Sequence, residues 1–242
     1  DHELANGTVA VLQVGDAVNI SSLGVLSGVP SDGLAIKYAI ENYSVIDCEG
    51  IIIDITAGIS ASITTNTIIK CFGAKLTTTG GTEIRDPLKI TTTSTSTMSV
   101  DGLEIDGNAK LGIGVQIVGN SRVTNCTSHN LYSSTLSCQG FNCTSGAFKS
   151  TIFLDSNTSY NINAIVAGSL GDSQGATRNA FVKIDVGGEG SIANISNNKF
   201  TDCFGREGDN IQIVTSTDQL TDMDTSIVVR DNIIKNAGRR QI

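Results

Sequence analysis

Two stretches decide the fold: ISNNKFTDC, Ile195 to Cys203, and VRDNIIKNA, Val229 to Ala237. Both read apolar, two polar, Asn, any residue, apolar, two polar, small, a match across nine positions. Looser versions start at Ile117 (IVGNSRVTNC) and Leu154 (LDSNTSYNIN), each with one extra residue before the second apolar position. Short apolar-x-apolar strand seeds recur at Val100, Ile117, Leu136, Leu154, Ile195, Ile213 and Val229, separated by 17, 19, 18, 41, 18 and 16 residues. The longest interval contains GSLGDSQGATRN, a Gly-rich polar run that reads as an inserted loop. The spacing therefore predicts a repeat of about 18 residues.

A unit this short leaves no room for a helical layer. Its strand seeds are brief, β-branched and bounded by Gly, Asn, Asp and Ser. Each unit is expected to be a coil of short strands that cannot bury its inner face alone. Stacking coils at about 4.8 Å pairs their backbones and encloses a continuous core. The fold class that follows is all-β, a parallel β-helix, with the seeds inward and the intervening Asn and Asp outward. Asn198 and Asn232 are expected at a corner, in a left-handed or bridge conformation, bonding along the stack. A β-sandwich would need hairpin turns and no fixed repeat length.

One segment departs from this pattern. In GVPSDGLAIKYAIEN, Gly28 to Asn42, Ser31 and Asp32 suit a helix N-cap, and Ile36, Ala39, Ile40 and Tyr43 form one apolar stripe. A helix over about 31–42 would cover the open edge of the first coil, which would otherwise template aggregation. VIDCEGIIIDITAGISASITTNTIIKCFGAKLTTTGG, with seeds at Ile51, Ile63 and Ile68, would form the first coils. The expected division is a lead-in or neck over 1–27 and the β-helix over 28–242. The chain begins without Met and stops at NAGRRQI within a periodic segment, so a trimmed polypeptide continuing beyond residue 242 is expected.

Composition narrows the function. The 242 residues are 39% hydrophobic but only 5% aromatic, without Trp, so the core is aliphatic. A net charge of -8 argues against nucleic acid, whose phosphates need Lys and Arg. No run of about 20 apolar residues would span a bilayer, so the chain reads as soluble, without membrane insertion. Cys48, Cys71, Cys126, Cys138, Cys143 and Cys203 include no CxxC pair, and His2 and His129 are the two histidines. The expectation is buried free thiols, no metal and no cofactor. Asn19, Asn125, Asn142, Asn157 and Asn194 open N-x-Ser/Thr triplets, which chance produces in a chain this rich in those residues.

LGVLSGVPSDGLAIKYAIEN followed by GIIIDITAGISASI resembles the opening of the pectate-lyase-like β-helices of bacteriophage tailspike depolymerases. There a G…GDG…DD turn precedes a helix reading AIQAAI, and Ser31, Asp32, Gly33, Ala35, Ile36, Ala39 and Ile40 fit that pattern. The second acidic pair is absent. VDGLEIDGN, Val100 to Asn108, is typical of such coils. The resemblance implies a right-handed parallel β-helix and a homotrimer on a virion tail, extracellular, that binds and cleaves a bacterial surface polysaccharide.

Glycoside hydrolysis needs two carboxylates. Aligning Ile195 with Ile213 sets Glu189 over Glu207 and brings Asp222, Asp224 and Asp209 near the same column. Glu207, Asp209, Glu189 and Asp224 are thus the catalytic candidates. REGDNIQI is similar to the DDCIAI strand of polygalacturonase-like β-helices, with Asp209 at its first aspartate and Asn210 replacing the second. For substrate, Arg206 and Arg178 could clamp an acidic sugar, and His129 and Tyr132 could stack on or hydrogen-bond to one. Asp101, Glu104 and Asp106 in SVDGLEIDGN read first as coil-corner residues. The leading expectation is an endoglycosidase. A polysaccharide lyase using calcium and a basic residue, or a non-catalytic adhesin, are the alternatives.

Overall fold

A computed structural model describes residues 2–3, 9–10, 17–133, 138–163, 180–187, 190–204, 209–214 and 225–237. Among these, every strand pairing is parallel except that of His2–Glu3 with Val9–Ala10. The parallel strands form three sheets of eight, eight and six strands, and the chain visits them in the same cyclic order in each coil. In one coil the first face takes Met98–Asp101, the second Glu104–Asp106 and the third Ile113–Val118. The next coil repeats this with Ser121–Thr124, Thr127–Tyr132 and Gln139–Thr144. The architecture is a right-handed parallel β-helix.

The two opening stretches do stack: Ile195 pairs with Val229 and Lys199 with Ile233, one coil apart. The interval is 34 residues, however, and the expected 18-residue repeat is not the coil. Along the first face the chain Val18, Ile46, Ile69, Val100, Val123, Leu154, Ile195, Val229 is in register, with offsets of 28, 23, 31, 23, 31, 41 and 34 residues. The shorter spacing arises between faces: Val100 lies on the first and Ile117 on the third face of one coil. LDSNTSYNIN stacks on ISNNKFTDC without an extra residue, because Ser159 rather than Tyr160 faces Phe200. The segment that stacks on LDSNTSYNIN in the preceding coil starts at Val123, not at Ile117 as the looser match had it.

The core is aliphatic, as expected. Val100, Ile117, Leu154 and Ile195 are fully buried, and Val229 packs against them. Ile213, expected inside, is 41% exposed. It is in register with buried Ile184, but its strand is the outermost described one on the third face. Leu136 lies outside the described residues. All six cysteines are buried thiols, none joined in a disulfide. Burial pushes the Cys143 thiol up to about 12 against a smaller opposing effect of the Ser121 hydroxyl, consistent with a small hydrophobe rather than a nucleophile.

Ala17–Asn19 and Pro30–Ser31 already pair in parallel on the first and second faces, with Val45–Asp47 and Ile52–Ile55. In that coil the third position is taken by the helix Leu34–Asn42, which buries Ile36, Ala39 and Ile40 against Ile59–Ser62, the end strand of the third face. The Asp32 carboxylate accepts from the Leu34 amide at 3.0 Å, while Gly33, at φ 80, is the capping position. At the other end Glu41 Oε1 accepts the Ser62 N–H at 3.2 Å, an edge donor with no further strand to bond.

The corner between the first and second faces has two residues. The first is left-handed: Asn125, Ser156, Asn197 and Asp231 all have φ of 55–57°. The second points inward, and in three successive coils it is Asn157, Asn198 and Asn232. Asn198 Oδ1 accepts the Asn157 amide at 2.8 Å, and Asn198 Nδ2 donates to Leu154 O at 3.2 Å and Asn232 Oδ1 at 2.9 Å. Asn157 and Asn198 are 1% exposed, so these asparagines do not face outward, and the left-handed residue is the one before each. A buried ladder satisfies corner amides that the sheets leave bare.

Candidate functional site on the second face

Register on the second face places polar side chains over one another. Glu104 lies beside Lys75, and Asp106, His129, Tyr160, Thr201 and Lys235 follow in one outward column. Residues two apart on a strand share a face, so Glu104 and Asp106 both flank inward, fully buried Ile105 and project together. The Lys75 ammonium is 2.8 Å from Glu104 Oε1 and 3.6 Å from Asp106 Oδ2. His129 Nε2 is 3.2 Å from Glu104 Oε1, and Nδ1 is 3.7 Å from Asp106 Oδ1. Tyr160 stacks on His129 with ring centroids 4.7 Å apart and planes 5° from parallel. The residue is thereby 6% exposed although its ring points out of the coil.

The surroundings hold the acids in place. Asp106 Oδ1 accepts from Asn130 Nδ2 at 3.0 Å and from the Asn108 amide at 3.2 Å. Asn108 and Ala109 are both left-handed, so the DGN turn folds back beside the carboxylate. Next to it lies an open cleft of about 270 Å³ lined by Asn108, Ala109, Asn130, Leu131, Tyr132 and Asn161. Asn130 and Asn161 are left-handed as well, and Asn161 Nδ2 donates to Asn130 Oδ1 at 2.7 Å. That kink turns the strand ends, with Tyr132, toward the cleft.

Electrostatics keep both acids ionised. Burial works to raise the Glu104 pKa, but hydrogen bonds from Lys75 and His129 outweigh it and hold it below the ordinary glutamate range. Burial opposes ionisation of Asp106 too, and Asn130, the Asn108 amide and nearby positive charge hold it low. Lys75 is raised, chiefly by its bond to Glu104. Burial raises Tyr160, helped by the two carboxylates. Neither acid is a ready proton store at neutral pH, so proton donation at this site falls to its nitrogen and phenol groups.

The sequence offered His129 and Tyr132 for substrate and read Glu104 and Asp106 first as coil-corner residues; the structure puts the two acids on a strand and brings all four to one patch. It missed Lys75 and Tyr160, which sit one and two coils from the acids. Aligning each segment from its left-handed corner residue would have stacked GAKL, GLEID, NCTSH and SNTSY and exposed both. Asp101 is apart from the patch, on the first face, where it accepts from Thr124 Oγ1 and Asn125 Nδ2, each at 2.8 Å. Glu207, Glu189, Asp224, Arg206 and Arg178 lie outside the described residues. Asp209 opens the strand Asp209–Val214, its backbone opposite Ala180, and its side chain is likewise outside the described set. The offset used to stack Glu189 over Glu207 does not hold, because Ile195 belongs to the first face and Ile213 to the third.

No family model, curated protein or solved structure matches the chain. Among the described residues, no helix is long and apolar enough to cross a membrane.

Proposed function

We propose that this chain is a carbohydrate-active β-helix of the tailspike type, which lays an extended bacterial surface polysaccharide across its second face and cleaves it beside Glu104 and Asp106. The observation that carries this is the cluster of Lys75, Glu104, Asp106, His129 and Tyr160 on an outward face, beside a cleft lined by asparagines and Tyr132. Asparagine amides and tyrosine hydroxyls suit sugar hydroxyls. Glu104 and Asp106 offer ligand atoms within 4.8 Å of each other, near the close carboxylate spacing of about 5 Å of retaining glycosidases. In hydrolysis one ionised carboxylate acts as nucleophile or base, and the Tyr160 phenol, which shares the patch, supplies the proton to the leaving oxygen. The resemblance also supports a homotrimer on a virion tail.

A second reading is eliminative cleavage of a uronate polymer. The specific support is that both acids are held ionised while Lys75 and Tyr160, potential proton carriers, share the patch. Incubation with a panel of capsular and exopolysaccharides separates the cases: new reducing ends without new ultraviolet absorbance mean hydrolysis, and an unsaturated-uronate chromophore means elimination. Glu104→Gln is expected to lower the rate by on the order of a hundredfold, with little change in Tm. Full activity in both Glu104→Gln and Asp106→Asn, with loss in Glu207→Gln or Asp209→Asn, would move the chemistry to the segment around Asp209.

A further inference from the structure

The His129 ring is bracketed by two carboxylates. Its Nε2 faces Glu104 Oε1 at 3.2 Å and its Nδ1 faces Asp106 Oδ1 at 3.7 Å. Nδ1 is buried without a hydrogen-bond partner, on a side chain 8% exposed. The gap between Nδ1 and Asp106 is too long for a hydrogen bond, yet it matches two ligands of one ion at about 2.1 Å from each. One atom each from Glu104, Asp106 and His129 falls within 4.8 Å of the other two.

We propose that Glu104, Asp106 and His129 form a binding site for a divalent cation of the zinc and manganese class. One imidazole with two carboxylates is a mixed N/O donor set, which suits these ions better than calcium or magnesium, whose ligands are oxygens. Lys75 occupies the same pair of carboxylates, so its ammonium and the ion compete. When the ion binds, the ammonium swings into water, an easy move for a flexible side chain 34% exposed. Asn130 and the Asn108 amide already orient Asp106, the supporting shell that a ligating carboxylate requires. The Tyr160 ring, stacked on the imidazole, holds its plane and reports on its charge.

The test needs no polysaccharide, so it can fail independently of the depolymerase reading. The full chain, stripped with chelator, is titrated with Zn²⁺, Mn²⁺ and Ca²⁺ by calorimetry while tyrosine fluorescence is followed, the protein having no Trp. The expected result is one Zn²⁺ or Mn²⁺ per chain with a change in tyrosine emission that Tyr160→Phe removes. Asp106→Asn and His129→Gln each weaken binding at least about 30-fold, and Lys75→Met tightens it about fivefold. Circular dichroism of each variant checks the fold, and Lys75→Met, which strengthens binding, cannot be mimicked by unfolding. Absence of binding, preference for Ca²⁺, or equal affinity in His129→Gln and wild type would overturn the site.

Discussion

Replacing Asn198 by Ala probes what holds the later coils together. The side chain is 1% exposed. Its loss removes the acceptor of the Asn157 amide and the donor to Leu154 O, both buried, and cuts Asn157 Nδ2 from two acceptors to one. A buried group left bare costs about 1–3 kcal/mol, so the expected destabilisation is about 3 kcal/mol. For a chain of this length that lowers Tm by about 6–12 °C. Urea unfolding followed by far-UV circular dichroism measures it, with the exposed, left-handed Asn197→Gly as a control expected within about 1 kcal/mol of wild type. Asn198→Asp should be at least as harmful at neutral pH, because its second oxygen then faces Leu154 O and Asn232 Oδ1. A loss below about 1 kcal/mol in Asn198→Ala would refute the ladder as a structural device.

Gly114→Ala is expected to destabilise by more than about 2 kcal/mol, because a Cβ there would run into the backbone oxygen of Gly140 on the neighbouring coil; thermal melts check it. Val100→Asp should yield no soluble folded protein, judged by expression and gel filtration, since it sets an unpaired charge in a fully buried position. Asp155 is held below the ordinary aspartate range, first by the Ser196 hydroxyl and then by Asn197 and Ser156. Its folded pKa is depressed, so the stability it adds is present above the ordinary aspartate value and disappears as pH falls through the folded one. Wild type should therefore exceed Asp155→Asn in Tm at pH 6, and the gap should close in strong acid. A gap that persists there would assign the effect to hydrogen bonding alone.

Much of the architecture is written locally. Strand seeds of alternating Val, Ile and Leu between Gly and Asn corners, together with one amphipathic helix, suffice for a coiled stack with a cap, because each signal lies within about ten residues. The corner at Asn198 and Asn232 was legible for the same reason, but not that these side chains turn inward and leave the left-handed backbone to the residue before each. Stacking was not. Coils differ by up to 18 residues in length, between 23 and 41, because their outer turns vary while the three faces stay in register. A sequence spacing cannot tell a step to the next face from a step to the next coil. Inward positions blur the pattern further, since Ser128 and Ser159 occupy in two successive coils the slot that Phe200 fills in the next. Glu104, Asp106 and His129 were visible as residue types, yet their union with Lys75 and Tyr160 depends on four coils spanning 86 residues meeting at backbone-pairing distance. Composition and pattern determined that this chain would wind; the hydrogen bonds between coils, which pair residues 23 to 41 apart, decided which side chains meet.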